Sequence, residues 1–535
     1  MIFLTFLLCI VKFGLAFNAG TINAKSVQYE FFTAASDMEI LHKVEKKLGK
    51  RFLKYVKAEE KRLNELERYI RQIEQTLPPR TLVPGKEQLW VTGMSNSYGI
   101  LKRFTKFWNI ISKYSKTNTS KKYMEKVKSD IERLRRAYPS QDDLRGALAA
   151  VFRIQDTYDI SPAMFINGLD KQSHILTMEE IFEMGFLCVG VGDYYHAQMW
   201  FKEALYRFPP EVNQVGFLDR LSLIEYLAWS EYQLGNLEDA LKHTRNIVKL
   251  NPAHPSAKIN LELFQNELDK AKSDPTIRKK FKVFRQHWET KYAKLCKGEE
   301  KMEQAIKDKL LCKYSQHRPR FILKPLKMEF AYNDPEIIIY HDLLRDHEME
   351  HIKKKSIPLL NRATVHHPET NQLVYADYRV SKSAWIAPEM DEVAANIINK
   401  VGHVVNLNMR YSEELQVANY GLAGQYEPHF DHSTLKNPKP FKKYGGNRIA
   451  TMLMYMSDVQ YGGCTVFTNT GPGVLVKPEK GSGVFWYNLL RNGKGNPKTQ
   501  HAACPVVLGQ KWVSNLWIHS DGQEFNRPCS LNKDE

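Results

Sequence analysis

The sequence has little that could cross a membrane. Its only long apolar run stands at the very start, MIFLTFLLCIVKFGLAF, and no later run approaches the length of a membrane-spanning helix. The first run is short for a span, and Gly14-Leu15-Ala16 places small residues where a signal peptidase cleaves. We therefore expect a signal peptide over residues 1–16, no membrane span in the mature chain, and a destination in the secretory pathway.

Cysteine is scarce, with seven in 535 residues, and Cys9 leaves with the signal peptide. The other six enter an oxidising compartment. Two pairs are close enough in sequence to close local loops, and each such disulfide would contribute about 3 kcal/mol. The expected disulfides are Cys296–Cys312 and Cys504–Cys529, which leaves Cys188 and Cys464 as free thiols.

Low-complexity sequence is also missing, and the 60 acidic residues are outnumbered by 77 lysines and arginines. A composition of 43% hydrophobic and 26% charged residues is typical of soluble globular proteins, and 535 residues predict three or four folding units. The net charge of +17 would suggest nucleic acid in a nuclear protein. Behind a signal peptide it indicates instead a solvated basic surface or a preference for anionic partners, and no nucleic-acid partner is expected. The sequon at Asn118 is a candidate for glycosylation.

Residues 36–77 are predicted to form one long amphipathic helix. Ser36 and Glu39 make a capping box at its start, apolar residues recur every three or four positions, and Pro78-Pro79 ends it. It could be a member of a helical bundle or could pair with a copy of itself. A second helical region is expected over 121–157.

Residues 175–263 contain degenerate tetratricopeptide-like repeats. VGDYYHAQMWFKEALYRFP and LGNLEDALKHTRNIVKLNP align Gly192 with Gly235 and Ala197 with Ala240. The region is rich in aromatic residues, which could be core or could line a groove for an extended proline-rich peptide. The aromatic residues are Tyr194, Tyr195, Tyr226, Trp229 and Tyr232.

After a basic connector, short apolar runs separated by Gly, Pro and Asn predict an all-β sandwich or jelly roll from about residue 335. His429 and Asp431 project to one face if they lie on a strand. His501 becomes a third ligand if hairpins fold its strand against theirs. Two histidines and one carboxylate favour a non-haem iron site over zinc.

Lys511 lies ten residues after His501, on the predicted strand KWVSNLW. A lysine buried beside a metal cavity requires an anion. The distal carboxylate of 2-oxoglutarate would meet that requirement while its other end chelates iron. Lys511 alone would be read as a surface lysine, but the combined spacing of the four residues is unlikely to arise by accident.

These segments together resemble the catalytic domain of the collagen prolyl 4-hydroxylase alpha subunit. The matching segments are LQVANYG, GQYEPHFD, NRIATMLMYMSDVQYGG, VFWYNL, HAACPV and KWVSNLWIH. KAEEKRL, FRIQDTYDI, DYYHAQMW and both cysteine pairs also match the family pattern, so the resemblance covers essentially the whole mature chain.

The resemblance implies particular site residues. His429, Asp431 and His501 would bind Fe(II), and Lys511 would bind 2-oxoglutarate. Tyr420 and Thr465 would lie in the cosubstrate pocket, with His519 as a further catalytic residue close to the cosubstrate. The implied substrate-binding residues are Tyr426, Arg448 and Trp517, together with the groove residues Tyr194, Tyr195, Tyr226, Trp229 and Tyr232.

The resemblance also implies the reaction and its setting. Proline would be hydroxylated at C4 in collagen-like X-Pro-Gly sequences, with O2 and ascorbate, while 2-oxoglutarate is converted to succinate and CO2. The partners would be procollagen or a collagen-like peptide and protein disulfide isomerase as beta subunit. The location would be the endoplasmic reticulum lumen. The terminal LNKDE is not a KDEL signal, so retention would depend on that partner.

The expected fold is a multidomain α + β chain. A helical, coiled-coil dimerisation region over 17–157 is followed by a tetratricopeptide-like peptide-binding domain over 158–264. A basic linker over 265–334 precedes a double-stranded β-helix (jelly-roll) dioxygenase domain over 335–535. The self-association would use the amino-terminal helices.

Alternatives remain at this stage. A prolyl hydroxylase acting on non-collagen proline-rich proteins would differ only in the groove. A lysyl hydroxylase would carry arginine where this chain has Lys511. A non-catalytic peptide-binding chaperone would not need an intact set of metal ligands.

Overall fold

The structure is a computed structural model. It describes residues 30–75, 93–118, 120–132, 139–169, 174–273, 290–366, 372–434, 441 and 445–532. The predicted signal peptide lies outside them. The chain divides into two compact units, residues 37–140 and residues 1–36 together with 141–535. In the described part of the chain, no helix is both long and apolar enough to cross a membrane.

The unit of residues 37–140 is helical. Its long helix α1 confirms the helix predicted over 36–77, with slightly different ends. Arg51 of this helix forms an ion pair of 2.6 Å with the buried Asp130 of a later helix. The helices are α1 (Ala35–Glu74), α2 (Met94–Lys102), a π-helical stretch (Arg103–Trp108), α3 (Asn109–Ser115) and α4 (Lys121–Glu132).

The helical repeats predicted after residue 175 are confirmed. Gly192 and Gly235 end the first helix of each pair with left-handed φ angles of 79° and 81°, which suit a residue without Cβ. Ala197 and Ala240 are fully buried where paired helices cross. The helices are α5 (Gln141–Tyr158), α6 (Pro162–Ile166), α7 (Met178–Val191), α8 (Tyr194–Arg207), α9 (Arg220–Gln233), α10 (Leu237–Leu250) and α11 (Ala257–Ser273).

The second predicted helical region, 121–157, is divided between the two units. Helix α4 ends at Glu132 in one unit, and α5 begins at Gln141 in the other. A short two-stranded ribbon, β1 (Gln214–Val215) and β2 (Leu218–Asp219), precedes α9. Further α-helices follow the repeats in the described residues: α12 (Lys291–Lys297), α13 (Gln304–Lys307), α14 (Asp346–Ser356) and α15 (Glu392–Val405).

The carboxyl-terminal region is built from two main antiparallel sheets. A nine-stranded sheet has the order β3-β4-β5-β16-β12-β19-β10-β9-β6, and a four-stranded sheet has the order β11-β17-β14-β15. An apolar cluster joins the two sheets, with Leu453 and Tyr455 from the large sheet against Phe467 and Val474 from the small one. Helices α14 and α15 pack against a second apolar cluster that includes Ile352 and Ile397.

The strands have the following bounds. The first group is β3 (Cys312–Ser315), β4 (Leu326–Asn333), β5 (Glu336–His341), β6 (Asn361–Arg362), β7 (Thr364–His366), β8 (Leu373–Tyr375), β9 (Ser381–Ile386), β10 (Leu415–Tyr420), β11 (Tyr426–His429) and β12 (Arg448–Tyr455). The second group is β13 (Val459–Gly462), β14 (Thr465–Phe467), β15 (Val474–Val476), β16 (Gly483–Tyr487), β17 (His501–Ala503), β18 (Val506–Gly509) and β19 (Trp512–His519). Strands β3 and β4 fall inside the stretch predicted as a linker, yet they extend the large sheet.

The predicted disulfide pairing is wrong in this structure. Cys296 of α12 is bonded to Cys504, 208 residues away, with 5.6 Å between their Cα atoms. Helix α12 packs against β14 and β15, which brings Cys296 to the residue that follows β17. Cys312 and Cys529, the predicted partners, are both exposed free thiols. Cys188 and Cys464 are free and buried, as expected.

Candidate active site

The small sheet brings together the three residues predicted to bind metal. Strands β11 and β17 are antiparallel neighbours with His429 directly opposite His501, and the imidazole centres are 4.4 Å apart. Asp431 follows two residues after His429. Its Oδ1 lies 3.8 Å from Nε2 of His429, and its Oδ2 lies 3.6 Å from Nε2 of His501. The pairing of β11 with β17 therefore closes the gap of 72 residues between the two histidines.

Hydrogen bonds fix which nitrogen of each histidine is available to a metal. Nδ1 of His429 lies 2.7 Å from the carbonyl oxygen of Glu427, and Nδ1 of His501 lies 3.0 Å from that of Thr499. A carbonyl oxygen can only accept, so each Nδ1 carries the proton and each Nε2 offers a lone pair. Metal-bound histidines are typically held in this way.

Electrostatics favour the metal-binding forms of two of these groups. Burial and the neighbouring His501 lower the pKa of His429 to about 3, so its imidazole is neutral. Burial alone would raise the pKa of Asp431, but His501, His429 and Arg448 outweigh it and lower the pKa to about 2. Two imidazole nitrogens and a carboxylate oxygen, all within 4.8 Å of one another, fit a divalent iron with open positions.

A cavity extends from the metal ligands to Lys511. The lysine ammonium is 1% exposed, donates to the carbonyl of Gly463 at 2.6 Å and lies 4.9 Å from the ring centre of Tyr420. No carboxylate in the described part of the chain forms an ion pair with Lys511, and burial lowers its pKa to about 8. Thr465 and Tyr420 line the same cavity.

Aromatic residues also line the cavity. The Tyr426 ring stacks on His429 with 3.5 Å between centres, and Trp517 also faces the cavity. Arg448 does not line it. Its guanidinium lies 3.9 Å from the Trp517 ring and is held by Glu413, with Nε 2.5 Å from Oε1. Arg448 therefore supports Trp517 from outside the cavity.

His519 ends strand β19 and is fully buried. Its Nε2 lies 3.0 Å from Glu413 and its Nδ1 lies 2.9 Å from the carbonyl of Gly446. Glu413 also holds Arg448, whose Nη1 donates to the backbone carbonyl of Asp431 at 3.3 Å. The expected catalytic role of His519 close to the cosubstrate stays a prediction.

Several lining residues were missed from the sequence. They are Arg379, Leu453, Trp486 and Asn515. Arg379 lies 4.6 Å from the Tyr426 ring, a contact that depends on how the loop before β9 crosses the small sheet. Alternation along VFWYN could have marked Trp486 as inward-facing, but nothing in the pattern separates a cavity residue from an ordinary core residue.

The aromatic residues of the repeats pack in local clusters. Tyr226 packs against Phe182, Phe186 and Phe201 with ring centres 5.5–5.8 Å apart, and Tyr194 belongs to the same cluster. Trp229 packs on Tyr232, which in turn stacks on Phe264 at 4.5 Å. Tyr195 lies beside His196, with 5.1 Å between ring centres. All five predicted groove residues are half-buried.

Family models match three parts of the chain. Residues 34–171 match the prolyl 4-hydroxylase alpha-subunit N-terminal region, and residues 178–270 match the prolyl 4-hydroxylase peptide-substrate-binding domain. Residues 415–519 match the 2OG-Fe(II) oxygenase superfamily, and this stretch contains the three metal-ligand candidates and Lys511.

Relatives align with nearly the whole length of the chain. Prolyl 4-hydroxylase subunit alpha-1 of Rattus norvegicus is 38% identical over 523 residues, covering 94% of this chain and 96% of that protein. The Homo sapiens alpha-1 subunit is 37% identical over 523 residues, with the same coverage. A solved viral collagen prolyl hydroxylase from Paramecium Bursaria Chlorella virus-1 is 26% identical over 34% of this chain and 94% of its own, with a TM-score of 0.27. The chain belongs to the prolyl 4-hydroxylase alpha-subunit family and is a 2-oxoglutarate-dependent iron dioxygenase.

Proposed function

We propose that the protein hydroxylates C4 of proline in collagen-like X-Pro-Gly sequences and couples this to the conversion of 2-oxoglutarate to succinate and CO2. The observation that carries the proposal is the register of β11 and β17, which sets His429 opposite His501 beside Asp431. These three side chains would hold the iron. The bound iron supplies the chemistry that activates O2.

Lys511 would bind the distal carboxylate of 2-oxoglutarate. Its buried ammonium lacks a carboxylate partner among the described residues, and Tyr420 and Thr465 line the space in front of it. An ionised carboxylate would supply the charge-assisted hydrogen bond that the ammonium lacks. Thr465 is itself oriented, because the Tyr455 hydroxyl lies 2.7 Å from its Oγ1.

The rings around the metal ligands would exclude water and position the proline. Trp486 and Phe467 pack on His501 with ring centres 4.7 Å and 5.8 Å away, on the interior side. Tyr426 and Trp517 line the cavity, where a proline ring could pack against them. We assign them to substrate orientation, with Arg448 holding Trp517 in place.

The helical repeats would bind the proline-rich substrate over a longer stretch. The two aromatic groups, around Tyr226 and around Trp229 with Tyr232, offer separate half-buried ring surfaces. A polyproline II helix repeats every three residues, so separate sites can take prolines from successive turns. Peptide binding there would add to binding at the metal through effective concentration.

The cellular setting follows from the same proposal. We place the protein in the endoplasmic reticulum lumen with protein disulfide isomerase as beta subunit and ascorbate as reductant. Self-association would use α1, where apolar side chains remain exposed. These are Phe52, Leu53, Val56, Leu63 and Ile70. Asn118 is exposed and would accept the glycan.

The test is mass spectrometry of a (Pro-Pro-Gly)n peptide after incubation with the protein co-expressed with disulfide isomerase, Fe(II), 2-oxoglutarate and ascorbate. We expect the gain of one oxygen on prolines that precede glycine. His501→Ala should abolish it, whereas His432→Gln, one residue beyond Asp431 and outside the ligand group, should retain it. Hydroxylation of a glycine-free proline-rich peptide alone would contradict the collagen assignment.

A further inference from the structure

A buried chain of hydrogen bonds leads from a tryptophan to the metal-ligand candidate Asp431. Nε1 of Trp486 donates to Oδ1 of Asn488 at 2.8 Å, and Nδ2 of Asn488 donates to Oγ1 of Thr451 at 2.8 Å. Oγ1 of Thr451 lies 2.8 Å from Oδ2 of Asp431. Trp486, Asn488 and Thr451 are each 1% exposed or less. These three residues are called the positioning chain below.

The direction of every bond in the positioning chain is determined by its first member. An indole N–H can only donate, so the oxygen of the Asn488 amide must face Trp486. The amide nitrogen then faces Thr451, and the threonine oxygen must accept its hydrogen. The hydroxyl hydrogen of Thr451 is left to donate to the carboxylate of Asp431. The positioning chain therefore directs the Thr451 hydroxyl hydrogen to Oδ2 of Asp431. The amide of Asn488 cannot be reversed without losing the hydrogen bond from Trp486.

The backbone holds this chain in place. Thr451 of β12 and Trp486 of β16 are direct partners in the large sheet. The backbone N–H of Asn488 donates to the carbonyl of Ile449 at 2.8 Å, and the carbonyl of Asn488 accepts from Asn496 at 2.9 Å. A buried network whose members all have partners is rigid, and rigid partners are needed to orient a metal ligand.

Trp486 touches the site in two ways. Its ring packs on His501 with 4.7 Å between centres, and through the positioning chain it reaches Asp431. Oδ2, the oxygen bonded to Thr451, is also the oxygen 3.6 Å from Nε2 of His501. The bond from Thr451 thus sets the rotation of the carboxylate and the direction in which its lone pairs face the two histidines.

We propose that Thr451, Asn488 and Trp486 are positioning residues that orient Asp431 for metal binding. The inference rests on the proposed function, in which Asp431 is an iron ligand. Partners of this kind typically change metal affinity by about 10- to 100-fold when they are lost. Thr451→Val keeps the shape of the side chain but removes its hydroxyl, and should weaken metal binding by about that factor.

The experiment measures Mn²⁺ binding to the full chain co-purified with disulfide isomerase, read from the electron paramagnetic resonance of the unbound ion. Thr451→Ser keeps the donor and should bind as the wild type does, while Thr451→Val should not. Thr470→Val is the matched control, because it removes another buried threonine hydroxyl that bonds only to the backbone carbonyls of Phe467 and Pro472. It should leave Mn²⁺ binding unchanged.

A second variant covers the case in which Thr451→Val does not fold. Trp486→Phe retains the ring on His501 but removes the N–H that orients Asn488, so it should weaken Mn²⁺ binding in the same direction and by less. The proposal would be overturned if Thr451→Val and Trp486→Phe both bound Mn²⁺ with wild-type affinity. It would also be overturned if Thr451→Ser and Thr451→Val lost Mn²⁺ affinity equally. Unchanged binding in Asp431→Ala would instead overturn the iron site itself, and the positioning role with it.

Discussion

Replacing Lys511 with methionine should stabilise the protein and at the same time destroy its binding of 2-oxoglutarate. The lysine is 1% exposed, and its ammonium has a backbone carbonyl as acceptor where an anion would be far better. Methionine has a similar length and no charge. The substitution therefore removes a desolvated charge in the absence of cosubstrate and removes the cosubstrate's partner in its presence.

The size of the stability gain follows from the pKa of Lys511. Burial lowers that pKa from 10.5 to about 8. Below about pH 8 the lysine is charged in both the folded and the unfolded state. Burying that charge then lowers the free energy of unfolding by the full amount, roughly 3 kcal/mol. Above pH 10.5 both states are neutral and the penalty vanishes. The gain from Lys511→Met should thus be greatest near neutral pH and fade as the pH rises.

The loss of cosubstrate binding should be large. Removing one partner of a buried charge pair typically costs roughly 2–5 kcal/mol, which is at least about a 30-fold increase in Kd. Urea unfolding without 2-oxoglutarate measures the first effect, and calorimetric titration with 2-oxoglutarate measures the second. Lys477→Met, at an exposed position, is the control and should change neither.

The two effects have opposite directions, so a general disturbance of the fold cannot imitate them. A Lys511→Met protein that is less stable without cosubstrate and still binds 2-oxoglutarate normally would refute the reasoning. The iron requirement should change much less than the 2-oxoglutarate requirement, because Lys511 is not among the metal-ligand candidates.

Two further predictions concern regions outside the cavity. Burial opposes the charge on His196, but hydrogen bonds to Asp156 and Asp193 raise its pKa to about 9. The charged imidazole therefore stabilises the repeats by roughly 3 kcal/mol below pH 6.5, and this stabilisation is lost as the pH rises through about 9. His196→Gln should flatten that dependence in urea unfolding, and an unchanged pH profile would contradict the assignment. Peptide mapping without reduction should recover Cys296 linked to Cys504, and recovery of two local disulfides instead would contradict the structure.

The metal-ligand candidates could be predicted from the sequence in part. A spacing of two suggested His429 and Asp431 as neighbours on one strand face, and sandwich topology made His501 a possible third ligand. In the structure β11 ends at His429, and Asp431 lies two residues beyond that end. The register of β11 with β17 confirms that they come together. Lys511 was placed by the need of a buried ammonium for an anion, and it does line the same cavity.

What could not be predicted depends on long-range packing. The Cys296–Cys504 disulfide requires α12 to lie on the small sheet, which no local pattern indicates. The contact of His519 with Glu413, 106 residues earlier in the chain, likewise has no local signal in the sequence. The bond from Thr451 to Asp431 joins a strand of the large sheet to the segment that follows β11, and no sequence spacing predicts such a long-range contact.

The most direct test of the proposed function is the fate of O2. The complete complex would be incubated with a collagen-like peptide, Fe(II), 2-oxoglutarate and ascorbate under oxygen-18 gas, and both products would be weighed by mass spectrometry. One labelled oxygen in each hydroxyproline and one in each succinate is the predicted result, since a dioxygenase divides the two atoms of O2 between its substrates. Unlabelled hydroxyproline, or succinate formed without hydroxyproline, would contradict it.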